Sequence, residues 1–184
     1  MTETLKYSVI KKDHPIELRQ YPAHIKAEVE VAGSTYQGAV YQGFSILAGY
    51  IFGGNIETEK IAMTSPVQVA NSKKIAMTKP VTVSGDGTYT VAFIMPSKYT
   101  LEILPKPKDP RISLKGIDVS IMAALRFSGT FNEKKVRTAK QRLDQWLKTE
   151  GHQTVGDFIA ARYNPPWVPW FLARNEVMIE IKSE

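Results

Sequence analysis

The segment Ile16-Glu-Leu-Arg-Gln-Tyr-Pro-Ala-His-Ile-Lys-Ala-Glu-Val-Glu-Val-Ala-Gly33 can be laid without a gap on Ile112 to Gly129. Identities fall at Ile16/Ile112, Leu18/Leu114, Ile25/Ile121, Ala27/Ala123 and Gly33/Gly129. In both copies apolar residues alternate, as Ile25, Ala27, Val29, Val31 and as Ile121, Ala123, Leu125, Phe127. That is the period of a half-buried strand. Each copy is followed by a helical stretch that ends near glycine, at Gly53-Gly54 and at Gly151, and then by further strands. Thr58 and Thr154 keep the same offset. The chain therefore reads as an α+β fold of two pseudo-symmetric ββαβ-type halves, over about 7–104 and about 111–182. A unit of that size struggles to close a core alone, so residues 1–184 are expected to form one domain.

A shorter repeat lies inside the first half. Lys60-Ile-Ala-Met-Thr-Ser-Pro-Val67 recurs as Lys74-Ile-Ala-Met-Thr-Lys-Pro-Val81, with Asn71-Ser72-Lys73 as a turn signal between them. The pair predicts a hairpin inserted over 60–84. Proline cannot donate to a ladder, so each internal proline should sit at a strand end, an edge or a bulge.

The two helices occupy matching places and differ in chemistry. The second, near 132–150, carries Val136, Ala139, Leu143, Trp146 and Leu147 on one stripe, with mostly charged residues elsewhere. Asn132 can cap its start and Gly151 its end. The first, near 34–52, has no charged residue, and none occurs anywhere between Glu30 and Glu57. Tyr36, Val40, Phe44, Leu47 and Ile51 form one apolar stripe; Tyr41, Ala48 and Phe52 add a second. Gln37, Gln42 and Ser45 interrupt the run too often for a membrane span, which needs about twenty mostly apolar residues. No integral membrane segment is expected. An uncharged helix should be covered on most of its circumference, by protein on one side and by further protein, an apolar ligand or a partner on the other.

Composition narrows the chemistry. With no cysteine, disulfides, thiolate catalysis, Fe–S clusters, Cys-type zinc sites and thiolate haem ligation are excluded. The start of the chain shows no apolar run behind a basic end, so a soluble, cytoplasmic protein is expected. A net charge of +6 invites a nucleic-acid reading. Much of that charge falls at Lys134, Lys135, Arg137, Lys140, Arg142 and Lys148, on the second helix, where a solvated face explains it. Without recognisable nucleic-acid motifs, no nucleic-acid partner is expected. The chain has no Gly-x-Ser-x-Gly elbow, phosphate loop or dinucleotide fingerprint, and the reading is of a protein that is not an enzyme.

A late segment, Tyr163-Asn-Pro-Pro-Trp-Val-Pro-Trp-Phe-Leu-Ala-Arg-Asn-Glu176, is stiffened by proline and rich in aromatic side chains. His14, His24 and His152 are the only histidines, and none pairs with another at metal-ligand spacing. His24 falls on the polar phase of its strand, as a surface residue would. Met63, Met77 and Tyr41 are types able to ligate iron, although the methionines suit core packing better.

Lys60-Ile-Ala-Met-Thr-Ser-Pro-Val67, Phe93-Ile-Met-Pro96, Leu104-Pro-Lys-Pro107, Arg126-Phe-Ser-Gly129, Tyr163-Asn-Pro-Pro166 and Arg174-Asn-Glu-Val177 together resemble the SOUL haem-binding protein family. The resemblance runs from about Tyr7 to Ile181, with the motifs in order. It implies a distorted antiparallel β-barrel flanked by two helices, similar in plan to effector-binding domains of the gyrase-inhibitory-protein type. It also implies reversible binding of haem or another tetrapyrrole in a groove between the first helix and the late aromatic loop. On that basis the ligand-binding residues are Tyr41, Phe44, Leu47, Ala48, Trp167, Val168, Trp170, Phe171 and Arg174. The position at which some members carry a proposed axial histidine is Gln20 here, and positions that supply cations in others read Tyr41, Gly49 and Val168. The contacts are therefore expected to be apolar and stacking, with Arg174, Arg162 or a lysine on the carboxylates. The alternative is a protein-interaction or small-molecule sensor domain that docks a protein partner through the same helix and loop.

Overall fold

The structure is a computed structural model describing residues 3–33, 35–71, 87–164, 168–169 and 171–182. In chain order the elements are β1 (Glu3–Thr4), β2 (Ser8–Asp13), β3 (Ile16–Tyr21), β4 (His24–Gly33), α1 (Tyr36–Ile51), β5 (Thr64–Ser65), β6 (Val67–Asn71), β7 (Gly87–Ile94), β8 (Ile112–Ile117), β9 (Ser120–Phe127), α2 (Glu133–Glu150), β10 (Thr154–Arg162) and β11 (Asn175–Ile181). Both helices lie where the apolar spacing places them. The first arm of the hairpin expected over 60–84 contains β5 and β6, with Pro66 in the break between them, and these pair with β1 and with β7 and β10 respectively; its second arm, Lys74–Val81, lies outside the described residues.

Among the described residues, nine strands form an antiparallel sheet in the order β2-β3-β9-β11-β10-β6-β7-β4-β8. Among the described residues the sheet is open, with β2 and β8 as its edges, rather than closed into the distorted barrel that the family resemblance implies. One edge, β2, was not foreseen: Ser8-Val-Ile-Lys-Lys-Asp13 is exposed throughout and charged, which blunts it against pairing with another chain. Consecutive strands β3 and β4 do not pair. Instead β3 pairs with β9, and β8 pairs with β4.

The alternation of the strands sorts the molecule into two layers. Ala27, Val29 and Val31 of β4, Val91 and Phe93 of β7, Ala123 and Leu125 of β9, and Val177 and Ile179 of β11 face the helices and form the main core. Helix α1 packs on β4 and β7, and α2 on β9 and β11. The opposite phase is also withdrawn from solvent: Tyr21, Met122, Ala124, Ala161 and Met178 form a second cluster, with Leu5, Tyr7, Ile159 and Tyr163 against it.

Candidate functional site

The Thr35 hydroxyl accepts from the Gly38 amide and caps the start of α1, and no charge stands in either terminal turn. Tyr36, Ala39, Gly43, Leu47, Tyr50 and Ile51 turn to the sheet. Gly43 sets the depth of that contact, because a Cβ built there would come within 2.6 Å of Val91 Cβ. The Tyr50 hydroxyl donates to the Pro105 carbonyl at 2.6 Å and ties the end of α1 to the segment between β7 and β8.

The outward face is another matter. Tyr41 is 78% and Phe52 67% exposed, with Ser45 and Gly49 exposed between them at helical spacing and Ala48 half-buried alongside. A Cβ at Gly49 would meet nothing within 4 Å, so the helix backbone is open to a flat ring at that point. The two apolar stripes read from the sequence thus have opposite fates. Leu47 is wholly inside the core, and Phe44 is half-buried with its ring at a steep angle to Phe93, centroids 5.2 Å apart. Those two support α1 from beneath, while Tyr41 and Ala48 lie on the outer side.

In the late loop, Val168 is half-buried and Phe171 and Leu172 are exposed, Phe171 at 59%. Trp167 and Trp170 lie outside the described residues. Arg174 goes elsewhere. Its guanidinium stacks over the Tyr163 ring at 4.0 Å, donates to the Tyr7 hydroxyl at 2.9 Å and pairs with Glu176 at 2.8 Å. Tyr7 and Tyr163 belong to the layer opposite the helices, so Arg174 is grouped with that layer rather than with α1.

Glu176 is wholly buried and is shared by two arginines, because Arg19 also reaches it, at 2.6 and 3.0 Å. Burial pushes the Glu176 carboxyl up, but the hydrogen bonds and charges of Arg19 and Arg174 outweigh it and hold the group below the ordinary carboxylate range. Arg19 also pairs with Glu17 and lies over the Tyr7 ring at 4.3 Å. The local sequence does not advertise this cluster, since Arg19 and Glu176 are 157 residues apart.

Haem iron takes His, Met, Tyr or Cys side chains as axial ligands. His14 is exposed in the turn before β3, the His152 ring stacks on Trp146, and His24 uses Nδ1 on the Pro22 carbonyl at 2.9 Å. Gln20 sits on β3, separated in strand order from the strands beneath α1. No group of three or more His, Asp or Glu able to hold a metal occurs among the described residues. The outer face of α1 sets the open backbone of Gly49 between the exposed rings of Tyr41 and Phe52. Apart from the Tyr41 phenol, that face offers no group of a type that ligates iron.

The model of the SOUL heme-binding protein family matches residues 2–180. The chain belongs to the SOUL family. A search of curated protein sequences finds no match. Among solved structures, the C-terminal domain of EcmrR is similar with a TM-score of 0.69 and 10% identity, over 97% of this chain and 99% of that one. A hydrolase from Listeria innocua is similar with a TM-score of 0.61 and 13% identity, over 99% and 100% of the two chains. SAV2435, bound to tetraphenylphosphonium, gives 0.54 and 10% identity, over 97% and 94%. At these identities the likeness is one of fold. No helix among the described residues is long and apolar enough to cross a membrane.

Proposed function

We propose that this SOUL-family chain is a non-catalytic, cytoplasmic binding protein, built as one domain of two matched halves, that reversibly holds haem or a related tetrapyrrole beside α1. The observation that carries this reading is the outer face of α1: charge-free from Val31 to Ile56, with Tyr41 and Phe52 in solvent and a bare backbone at Gly49 between them. Single exposed apolar residues are ordinary, but an uncharged helix face bearing two large exposed aromatics on a soluble fold marks a contact surface. A tetrapyrrole supplies the flat apolar partner such a face lacks, and ring contacts rather than an axial protein bond then provide the affinity. Phe171 and Val168 belong to the proposed second wall; Trp167 and Trp170, the other expected contacts of the loop, lie outside the described residues. Arg174 is the least suited of the expected contacts, because its charge is already matched by Glu176.

The test is a titration with haem and with protoporphyrin IX. The reading predicts a shifted Soret band and quenched tryptophan emission with both, because the iron adds little to the contact. If neither ligand changes either signal at micromolar concentration, the tetrapyrrole reading fails. The second reading, a sensor or interaction domain, is favoured by the fold shared with the EcmrR C-terminal domain and with SAV2435 in its tetraphenylphosphonium complex. Binding of that lipophilic cation with no response to either porphyrin would favour it.

A further inference from the structure

The layer opposite the helices contains a cavity of about 180 Å³. Its walls are largely apolar, with Leu5, Ile117, Met122, Ile159 and Met178 among them. The bulge in β10 shapes one side. Pairing with β11 shifts register between Val155 and Ile159, and Gly156 takes a left-handed φ of 70°. Such a bulge bends a strand and re-aims its side chains, and it is often found beside a site.

Two polar atoms in this wall lack partners. Gln68, on β6, is only 6% exposed and its Oε1 accepts no hydrogen bond; His24 Nε2 is likewise buried and unpartnered. Buried polar atoms are nearly always satisfied, so each such exception calls for a physical reason. The hydrogen bond at the other end of the His24 ring fixes what Nε2 offers. A carbonyl only accepts, so Nδ1 must carry the proton that it donates to Pro22, and in the neutral ring Nε2 presents a lone pair. Burial, helped by the charge of Lys26, pulls the His24 pKa down despite the Pro22 bond, which favours the neutral ring. His24 and Gln68 thus bring two unsatisfied acceptors to the wall of the cavity, on strands that only the folded sheet brings together.

We propose that this cavity is a second small-molecule site, separate from the α1 face, for a neutral and mainly apolar molecule carrying an N–H or O–H donor, such as a phenol or an indole. The volume is of the scale of apolar cavities that admit a benzene-sized guest, about 150 Å³. The lining also selects by charge. Lys26 stands in the lining together with Asp157 and Glu180, so charges of opposite sign offset one another there in part and a neutral guest needs no counter-ion. A donor placed on His24 Nε2 or Gln68 Oε1 removes an unsatisfied buried acceptor, so phenol should bind more tightly than toluene, which fills similar space without a donor.

The experiment is long-range proton–nitrogen NMR of the histidine rings during titration with phenol, indole and toluene. Before addition, His24 should show a protonated Nδ1 and a pyridine-type Nε2. Phenol and indole should move the His24 Nε2 resonance saturably, leaving His14 and His152 in place, and toluene should bind at least about tenfold more weakly, or 1.4 kcal/mol. Gln68→Leu should bring phenol affinity closer to that of toluene, and saturating protoporphyrin IX should leave the phenol response unchanged. The proposal is overturned if phenol and toluene bind equally, if all three histidines shift alike, or if His24 does not respond. Comparing phenol with toluene on the unmodified chain decides the matter even if Gln68→Leu fails to fold.

Discussion

Helices α1 and α2 follow corresponding strands and cover opposite ends of one sheet, yet only α2 is finished as a solvent-facing helix. Its amphipathic pattern leaves Lys134, Arg137, Gln141 and Lys148 in water. It begins at an Asn132 cap and ends on left-handed Gly151, with Glu133 in the first turn and Lys148 in the last, where each complements the helix dipole. Helix α1 has an equally dry inner face and no charge at all. The difference teaches that burial against the sheet accounts for the inner stripes of both helices, whereas the outer face of α1 needs an explanation outside the fold.

The largest expected effect probes the sheet beneath the helices. Glu176→Gln removes the carboxylate shared by Arg19 and Arg174 and should destabilise the chain by about 3–5 kcal/mol in chemical denaturation. Because Glu176 titrates lower in the folded chain than its ordinary value of 4.5, its stabilisation is complete above that value and is lost as pH falls through the folded one. Acid should therefore release amide protection in β9 and β11, under α2, before β4 and β7, under α1, as read by hydrogen exchange. Simultaneous loss at both ends would show that the cluster does not distinguish them.

The next contrast should vanish. Leu47→Ala on α1 and Leu143→Ala on α2 remove wholly buried side chains and should each cost about 2–5 kcal/mol in denaturant unfolding. A much smaller loss at Leu47 would break the claim that the inner faces are alike. Smaller again is the effect of depth: Gly43→Val forces atoms into Val91 and should cost about 1–3 kcal/mol in the same assay. A neutral result would mean that α1 can lift from β7 without penalty.

Much of this was legible in the chain. Alternation at Ile25–Val31 and Ile121–Phe127 marked β4 and β9, and the 3.6-residue stripes marked both helices, because one dry face leaves a clear period. The second layer was not legible. His24 reads as a surface residue from its phase in β4, but the sheet is withdrawn from solvent on both faces there, and phase alone reports only which face a residue joins. Gln68 gives no signal in the sequence for the same reason. The Arg19–Glu176 pair depends on β3 and β11 both flanking β9, a long-range pairing that no local pattern encodes. In the candidate site, the stripe containing Tyr41 was visible as apolar; which stripe faced outward was settled only by the packing of α1 on β4 and β7.

The most direct measurement is a haem titration, followed at the Soret band, of the unmodified chain, Tyr41→Glu on α1 and Arg142→Glu on α2. Both substitutions fall on exposed positions and should change unfolding free energy by no more than about 0.5 kcal/mol. The account predicts that Tyr41→Glu weakens haem binding at least about tenfold, or 1.4 kcal/mol, while Arg142→Glu leaves it unchanged. Undiminished binding by Tyr41→Glu, or loss of binding in Arg142→Glu, would contradict the assignment of the ligand to the uncharged helix.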